Sequence, residues 1–424
     1  MFSLINRNLF KVIYIYQRMT LILSRLVCSK NNLFFAFLVA GYIFDVILYD
    51  YIDFTSADEL MALFLLFFSG LIINERRNIK EMIPLFVVLI IFLLYTIYSF
   101  SIHSNAPKAI LKDLLIQIKP FLAFYCTYLI APSFTTSQKR FIVVMCLASS
   151  LMMLGIGLSN GIFLFFGHQS YFAKAIIATA FLYLYCCSDN WEDMLAFILI
   201  LCIGFFSTRA KFYGFCGIAI FLMLLYKAGI EIKFNISGCL IAVCVLTIAV
   251  WLGKDKIILY YVDGMMNSRE MWSRPAMLLT SLRIFIDYMP FGCGLASFAS
   301  FVSGEYYSSI YEAYGISHLW GISKSNPAYV ADAYYPVLAQ FGIIGVGLYV
   351  YFWIWVVFKG IKIGNHGYKK EYLLILLSAI FFAIEGVADA TFSQNRGLFI
   401  LIITAMTVAK YKDLCLNKVE KGTF

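Results

Sequence analysis

Two cations, Arg209 and Lys211, interrupt an apolar part of the chain. Residues 199–217 read LILCIGFFSTRAKFYGFCG, so the polar gap between the apolar runs is only a few residues long. A planar guanidinium binds phosphate through two parallel hydrogen bonds, whereas an ammonium binds it as a point charge. The residue types and their spacing predict a site for an anion at the edge of a hydrophobic slab.

A second pair of arginines, Arg274 and Arg283, occurs later in the chain. The apolar residues of the stretch 274–288 follow the i, i+4, i+8 spacing of an amphipathic helix. They are Met277, Leu278, Leu282, Phe285 and Ile286. Pro290, Gly292 and Gly294 follow and predict a turn. We expect a helix along a membrane surface, on which Arg274 could bind an anion and Arg283 could equally contact lipid headgroups.

The composition identifies the elements that must position these side chains. The chain has 424 residues, of which 62% are hydrophobic and 13% are charged, whereas about 25% charged residues is usual in soluble domains. Runs of about 20 apolar residues recur along the chain. The sequence therefore predicts an all-α, polytopic transmembrane bundle. The net charge of +9 is typical of basic loops that anchor a membrane protein, so we expect no nucleic-acid partner.

The cysteines predict neither disulfides nor a metal site. Most of the eleven lie within apolar runs, and none forms a CxxC pair. Within a membrane helix, cysteine behaves as a small hydrophobic residue.

Hydropathy predicts about twelve membrane spans. Their approximate ranges are 32–52, 56–74, 83–102, 114–131, 141–159, 171–188, 194–207, 212–226, 236–252, 336–358, 371–390 and 397–411. Residues 1–31 form a basic amphipathic lead-in, 32–252 hold spans one to nine, 253–335 form one large outer loop with short amphipathic helices, 336–411 hold spans ten to twelve, and 412–424 form a tail.

The distribution of basic residues predicts the orientation. Segments on the side of the N-terminus hold 20 Lys and Arg residues, against 5 in the short segments on the opposite side. Because cytoplasmic loops carry the excess of positive charge, we expect both termini in the cytoplasm. Arg209, Lys211 and the loop 253–335 then face outward.

The loop is also rich in aromatic residues. They include Tyr306, Tyr307, Tyr311, Tyr314, Trp320, Tyr329, Tyr334 and Tyr335. Tyrosine and tryptophan populate membrane interfaces, but flat apolar faces beside hydroxyl-rich loops also suit sugar rings. Together with the outward-facing cations, they suggest an anionic, lipid-tethered and glycosylated substrate.

Three stretches resemble the O-antigen polymerase and O-antigen ligase superfamily of bacterial inner-membrane glycosyltransferases. FFSTRAKFYGF is similar to the family's Ser-x-Arg-Ala stretch at the outer end of a span. SRPAMLLTSLRIFIDYMPFGCGLASF is similar to its Ser-Gly-Arg, amphipathic helix and Pro-x-x-Gly-x-Gly pattern, with Ser273 in place of the glycine. DAYYPVLAQFGIIGVGLY is similar to its entry to the next span, with Gly-x-x-Gly at Gly342 and Gly345. The resemblance covers about residues 200 to 350.

The resemblance implies transfer of a glycan from a polyprenyl diphosphate carrier, without metal, nucleotide sugar or other cofactor. Arg209 and Arg274 would bind the pyrophosphate leaving group, with Lys211 and Arg283 as second-rank candidates. The implied partners are the polyprenyl-diphosphate-linked oligosaccharide, membrane lipid and a chain-length regulator protein. The implied location is the bacterial inner membrane, with the active site facing the periplasm.

The resemblance also directs the search for a base. The ligase branch carries a His-Asn pair before the Gly-x-x-Gly turn, and the matching positions here are Ala331 and Asp332. The missing histidine favours the polymerase branch. Asp332 is the first candidate for the base, unless it only caps the following helix. His318 is the alternative, unless it is a plain surface residue.

Two other functions remain open from the sequence: a ligase that moves the finished chain to lipid A-core, and a transporter or flippase with twelve spans. A transporter usually places polar residues in mid-membrane and shows two related halves, and this sequence shows no internal repeat. Glu385 and Asp389 lie near the outer end of span eleven. Acids within a membrane mark functional sites, but at a span's end they could equally reach water.

Overall fold

The computed structural model describes residues 30–53, 56–76, 79–230, 258–264 and 271–420, with isolated positions between 247 and 255. Within these residues the chain forms helices and turns, without a strand. Almost all of the predicted lead-in and the ninth predicted span, 236–252, lie outside the described residues.

Twelve longer helices organise the described chain. They are α1 (Lys30–Gly41), α2 (Ala57–Arg76), α3 (Ile79–Ser101), α4 (Pro107–Ile130), α5 (Thr136–Leu158), α6 (Gln169–Cys186), α7 (Trp191–Ile203), α8 (Ala210–Lys227), α9 (Ser273–Asp287), α10 (Gly342–Asn365), α11 (Lys369–Glu385) and α12 (Asn395–Glu420). Short helical pieces lie between them at Tyr42–Ile47, Tyr49–Ile52, Ile162–Phe166, Gly204–Ser207, Ile258–Asp263, Phe301–Glu305, Ile310–Ala313, Tyr335–Gln340 and Thr391–Ser393.

All predicted spans except the ninth coincide with helices, namely α1 to α8 and α10 to α12. Six candidate spans are long and apolar enough to cross a membrane: Lys30–Ile47, Glu81–Ser101, Pro107–Ile130, Thr136–Leu158, Ala210–Lys227 and Gly342–Asn365. The prediction of an all-helical chain with membrane-spanning character is confirmed. The count of twelve spans and the outer location of the loop stay predictions.

The centre of the bundle consists of α6 and α12. Every residue from Phe172 to Cys187 is buried, as is every residue from Asn395 to Ala409. A helix that is apolar on all sides belongs in a core. Other helices expose large apolar side chains instead, for example Leu93 and Leu94 on α3 and Leu151 on α5. An apolar outer surface of this kind is expected where lipid replaces water.

The predicted amphipathic helix over 274–288 is confirmed as α9. Its Met277 and Ile284 are buried against the protein, whereas Leu282 and Ile286 are exposed. The helix therefore has a second apolar face that points away from the bundle.

The turn after α9 docks onto the segment before α10. Gly292 and Gly342 both adopt positive φ angles, of 81° and 59°. A Cβ on Gly292 would lie 2.4 Å from the carbonyl oxygen of Ala339, and one on Gly342 would lie 2.3 Å from that of Pro290. Only glycine permits this backbone approach. The approach fixes α9 beside the segment Tyr335–Gln340.

Candidate functional site

Four buried or half-buried charges meet at one end of the bundle, where α6, α8 and α12 begin and α11 ends. We call this the site end. Lys174 Nζ lies 3.0 Å from Asp389 Oδ2, and Lys211 Nζ lies 3.1 Å from the same oxygen. Lys211 Nζ also lies 2.8 Å from Glu385 Oε2. These four residues, Lys174, Lys211, Glu385 and Asp389, form the charged cluster.

Neighbouring polar side chains hold the carboxylates of the charged cluster in place. Thr391 Oγ1 donates to Glu385 Oε2 at 2.8 Å, and Gln394 Nε2 donates to Asp389 Oδ1 at 3.0 Å. Ser170 Oγ donates to Asp389 Oδ2 at 3.1 Å. With two cations and two carboxylates the cluster is balanced. Lys211, a second-rank candidate for binding pyrophosphate, is therefore already neutralised by carboxylates.

Arg209 lies at the same end but has a different environment. It is the N-terminal cap of α8 and follows Thr208, whose φ angle is 52°. Its Nη2 lies 2.6 Å from Nε2 of His168, the cap of α6. Its Nε is buried without a hydrogen-bond partner, and no carboxylate of the described chain lies within ion-pair distance of its guanidinium. Buried charges are normally paired with a charge of opposite sign. Arg209 is therefore the cation of the site end that could best bind an added anion.

His168 is a site residue that the sequence reasoning missed. Its Nδ1 lies 3.2 Å from the backbone nitrogen of Ser170, which places the ring at the start of α6. A neutral imidazole has one acceptor nitrogen, and the shorter contact with Arg209 assigns it to Nε2. The available signal was a histidine directly before a span, on the side predicted for Arg209. Partial burial of the ring and the adjacent Arg209 guanidinium lower the pKa of His168 below its usual value of 6.5.

For the glycan transfer that the resemblance implies, this lowered pKa predicts how the rate changes with pH. Protonation of His168 at Nε2 would remove the acceptor that faces Arg209. It would also place the His168 imidazolium beside the Arg209 guanidinium. Because the folded state holds His168 neutral, the arrangement is complete above about pH 6.5 and is lost as the pH falls toward the lowered pKa. We expect activity to decline on the acid side, and His168→Gln, which keeps an acceptor that does not titrate, to flatten this decline. The rate of glycan transfer, measured in membrane vesicles between about pH 5 and 8, tests this expectation. An identical acid-side decline in wild-type protein and His168→Gln would contradict it.

Arg274 and Asp332, which the sequence proposed for separate roles, form an ion pair. Arg274 Nε lies 2.5 Å from Asp332 Oδ2, and each side chain is about a quarter exposed. The two residues line a cavity of about 190 Å³. Its other walls are Met277, Leu278, Tyr329, Val330, Ala333, Tyr335, Pro336 and Val387. The cavity, here called the Arg–Asp cavity, combines one cation and one carboxylate with largely apolar walls.

The idea that Asp332 merely caps the next helix is wrong. The helical turn Tyr335–Gln340 has Tyr334 as its cap, and α10 has Phe341, in neither case with a side-chain capping bond. Asp332 is instead directed toward Arg274. Its carboxylate therefore belongs to the Arg–Asp cavity.

His318 and Arg283 lie apart from this arrangement. His318 is exposed on the loop surface, and it is not among the cavity's lining residues. Arg283 is exposed on α9. It lies about two and a half turns beyond Arg274, on the opposite face of the helix. The structure therefore brings Arg274 and Asp332 together, but it does not bring Arg283 or His318 to them.

The Arg–Asp cavity and the charged cluster share one segment of the chain. Val387 lines the cavity and lies between Glu385 and Asp389 in the connection from α11 to α12. The backbone N–H groups of Tyr334 and Tyr335 both donate to the carbonyl of Gly386, at 3.0 and 3.2 Å. The two sets of charges are thus rigidly connected at the site end.

Asp389 is expected to be structurally essential. Asp389→Asn keeps the shape of the side chain but removes the charge opposite Lys174, whose side chain is only 1% exposed. Removing one partner of a buried ion pair lowers the free energy of unfolding by about 3–5 kcal/mol. We expect a markedly lower midpoint of thermal unfolding in detergent. The matched control is Asp189→Asn, which removes the 53%-exposed partner of Lys227 and should cost at most about 1 kcal/mol. Equal shifts in the two variants would contradict this role.

Comparison with known proteins adds no assignment. No protein-family model matches the chain, and no curated protein sequence matches it.

Proposed function

We propose that the protein is an inner-membrane glycosyltransferase that polymerises polyprenyl-diphosphate-linked repeat units of O-antigen or another surface polysaccharide. The observation that carries the proposal is Arg209, whose half-buried guanidinium contacts the His168 ring and has no carboxylate partner in the described chain. A diphosphate headgroup would supply the missing negative charge. The charged cluster keeps Lys174 and Lys211 from competing for that headgroup.

The proposed reaction is displacement at the first sugar carbon of the donor glycan. A hydroxyl of the acceptor attacks this carbon, the bond from the carbon to the phosphate oxygen breaks, and polyprenyl diphosphate leaves with the electron pair. Arg209 stabilises the charge that develops on the leaving group, which such donors can do by about 3–4 kcal/mol. Asp332 accepts the proton of the hydroxyl late in the reaction.

Arg274 has a dual role in this proposal. Through its Nε it holds the Asp332 carboxylate at 2.5 Å. When Asp332 takes the proton of the acceptor hydroxyl, the positive charge of Arg274 is no longer balanced by that carboxylate and can stabilise the leaving diphosphate. Arg283 is exposed on the opposite face of α9, so we assign it to lipid headgroups instead. The site end would face the periplasm, with both termini in the cytoplasm, as the distribution of basic residues indicates.

Deletion of the gene, followed by gel analysis of the surface glycan, tests the proposal. A polymerase predicts that single repeat units remain on the lipid core. Long chains stranded on polyprenyl diphosphate would instead identify a ligase. An unchanged surface glycan would contradict both.

A further inference from the structure

An exposed aromatic pair lies beside the Arg–Asp cavity. Trp320 is 68% exposed. Its ring packs on Tyr329 with a centroid separation of 5.0 Å and an angle of 57° between the ring planes. Tyr329 in turn lines the cavity that contains Arg274 and Asp332. Trp320 therefore contacts a residue of the cavity wall without lining the cavity itself. We call Trp320 and Tyr329 the aromatic platform.

The fold holds this platform rigidly. The hydroxyl of Ser273, the residue before Arg274, donates to the carbonyl of Trp320. The backbone N–H of Tyr329 donates to the carbonyl of Gly321 at 2.8 Å. Gly321 has a φ angle of 80°, and a Cβ there would lie 2.2 Å from the Tyr329 ring. Glycine at this position therefore allows Tyr329 to lie directly against the turn that presents Trp320.

An exposed aromatic ring beside a cavity can bind a ligand with an apolar face, because covering the ring removes apolar surface from water. The residues nearby in the turn are polar, and Lys324 and Ser325 are exposed. A pyranose ring matches this setting: it has a face of C–H groups that packs on an aromatic ring and a rim of hydroxyls for the polar surroundings. Sites for such ligands typically combine apolar walls with a few placed polar groups.

We propose that Trp320 and Tyr329 form a subsite for one pyranose ring of the acceptor glycan. The ring would stack on Trp320 and direct its hydroxyl toward Asp332 in the adjoining cavity. The subsite rests on the proposed glycosyltransferase function, since it assigns the acceptor side of that reaction. It makes Trp320 a determinant of acceptor affinity and leaves the chemical step to the cavity.

Kinetics in the full-length protein in nanodiscs test the subsite, with the host's lipid-linked repeat unit as the donor at a fixed concentration and the oligosaccharide released from the host's surface glycan as the varied acceptor. We expect Trp320→Ala to raise the KM for the acceptor on the order of ten-fold with little change in kcat, and Trp320→Phe to recover part of the loss. The control is Phe301→Ala, which removes a loop aromatic of similar exposure, 61%, that does not line the cavity. Equal effects of Trp320→Ala and Phe301→Ala would overturn the proposal.

A binding measurement separates this inference from the proposed function. The chain has six tryptophans, so 5-fluorotryptophan labelling gives a simple fluorine NMR spectrum in which Trp320→Phe assigns one resonance. The probe is the oligosaccharide released from the host's surface glycan by mild acid. A shift of the Trp320 resonance would support the subsite even if no polymerisation occurred. Absence of a shift, or broadening by a lipid with a spin-labelled headgroup, would overturn it and identify a membrane anchor.

Discussion

Arg209→Ala is expected to lower the rate of chain extension by about 10²–10³-fold, the usual effect of removing one preorganised donor to a developing negative charge. Arg209 has no carboxylate partner in the described chain, so its loss leaves no unmatched acid behind and the protein should still insert. Arg209→Lys should recover little activity, because an ammonium cannot reproduce the two parallel hydrogen bonds of a guanidinium. The chain-length distribution in cells, normalised to the amount of membrane protein, measures the effect.

Arg283→Ala is the matched control for this variant. It also removes an arginine that the sequence proposed for pyrophosphate binding, but from the exposed face of α9 opposite Arg274. We expect close to normal extension. Normal polymer from Arg209→Ala would refute the assignment of the diphosphate to this arginine.

Asp332→Asn is expected to slow extension by about 10²-fold or more, within the range for lost acid–base catalysis. The substitution keeps the size of the side chain and an oxygen that can accept from Arg274, so the protein level should not change. Because Asp332 does not cap the following helical turn, a stability effect through capping is not expected. Extension near the normal rate would place the base elsewhere, and His318→Ala would be the next variant.

Because Arg274 and Asp332 form an ion pair, substitutions of both residues test whether they act together. Arg274→Ala alone should nearly abolish extension, because it removes the cation of the cavity and the group that orients Asp332. Substitutions of residues that act as one unit do not have additive effects on the activation free energy. The double variant, Arg274→Ala with Asp332→Asn, should therefore extend chains only slightly more slowly than the slower single variant. Two independent losses that multiply would show that Arg274 and Asp332 act separately.

The sequence predicted the elements of this fold better than their arrangement. Period and length of the apolar runs were enough to predict α9 and the helices of eleven spans, since those signals are local. They contain no information about which spans pack together. The contacts of Lys211 with Glu385 and Asp389 join residues far apart in the chain, so the neutralisation of Lys211 could not be foreseen.

The candidate site shows the same limit. Arg209 could be selected because its apolar surroundings are visible in the sequence, but its partner His168 lies 41 positions earlier. Asp332 was selected as a base and Arg274 as a phosphate ligand, yet their contact spans 58 positions. The capping hypothesis for Asp332 failed because the helical turn begins at Tyr335, and local propensity does not fix helix ends to a single residue.

We propose that this chain alone transfers a glycan from polyprenyl diphosphate. The most direct measurement is reconstitution of the purified protein in liposomes with the host's polyprenyl-diphosphate-linked repeat unit, a metal chelator and no nucleotide sugar. We expect a ladder of longer glycans on the carrier and one polyprenyl diphosphate released for each new linkage, both absent with Arg209→Ala. Intact single repeat units after incubation with folded wild-type protein would contradict it.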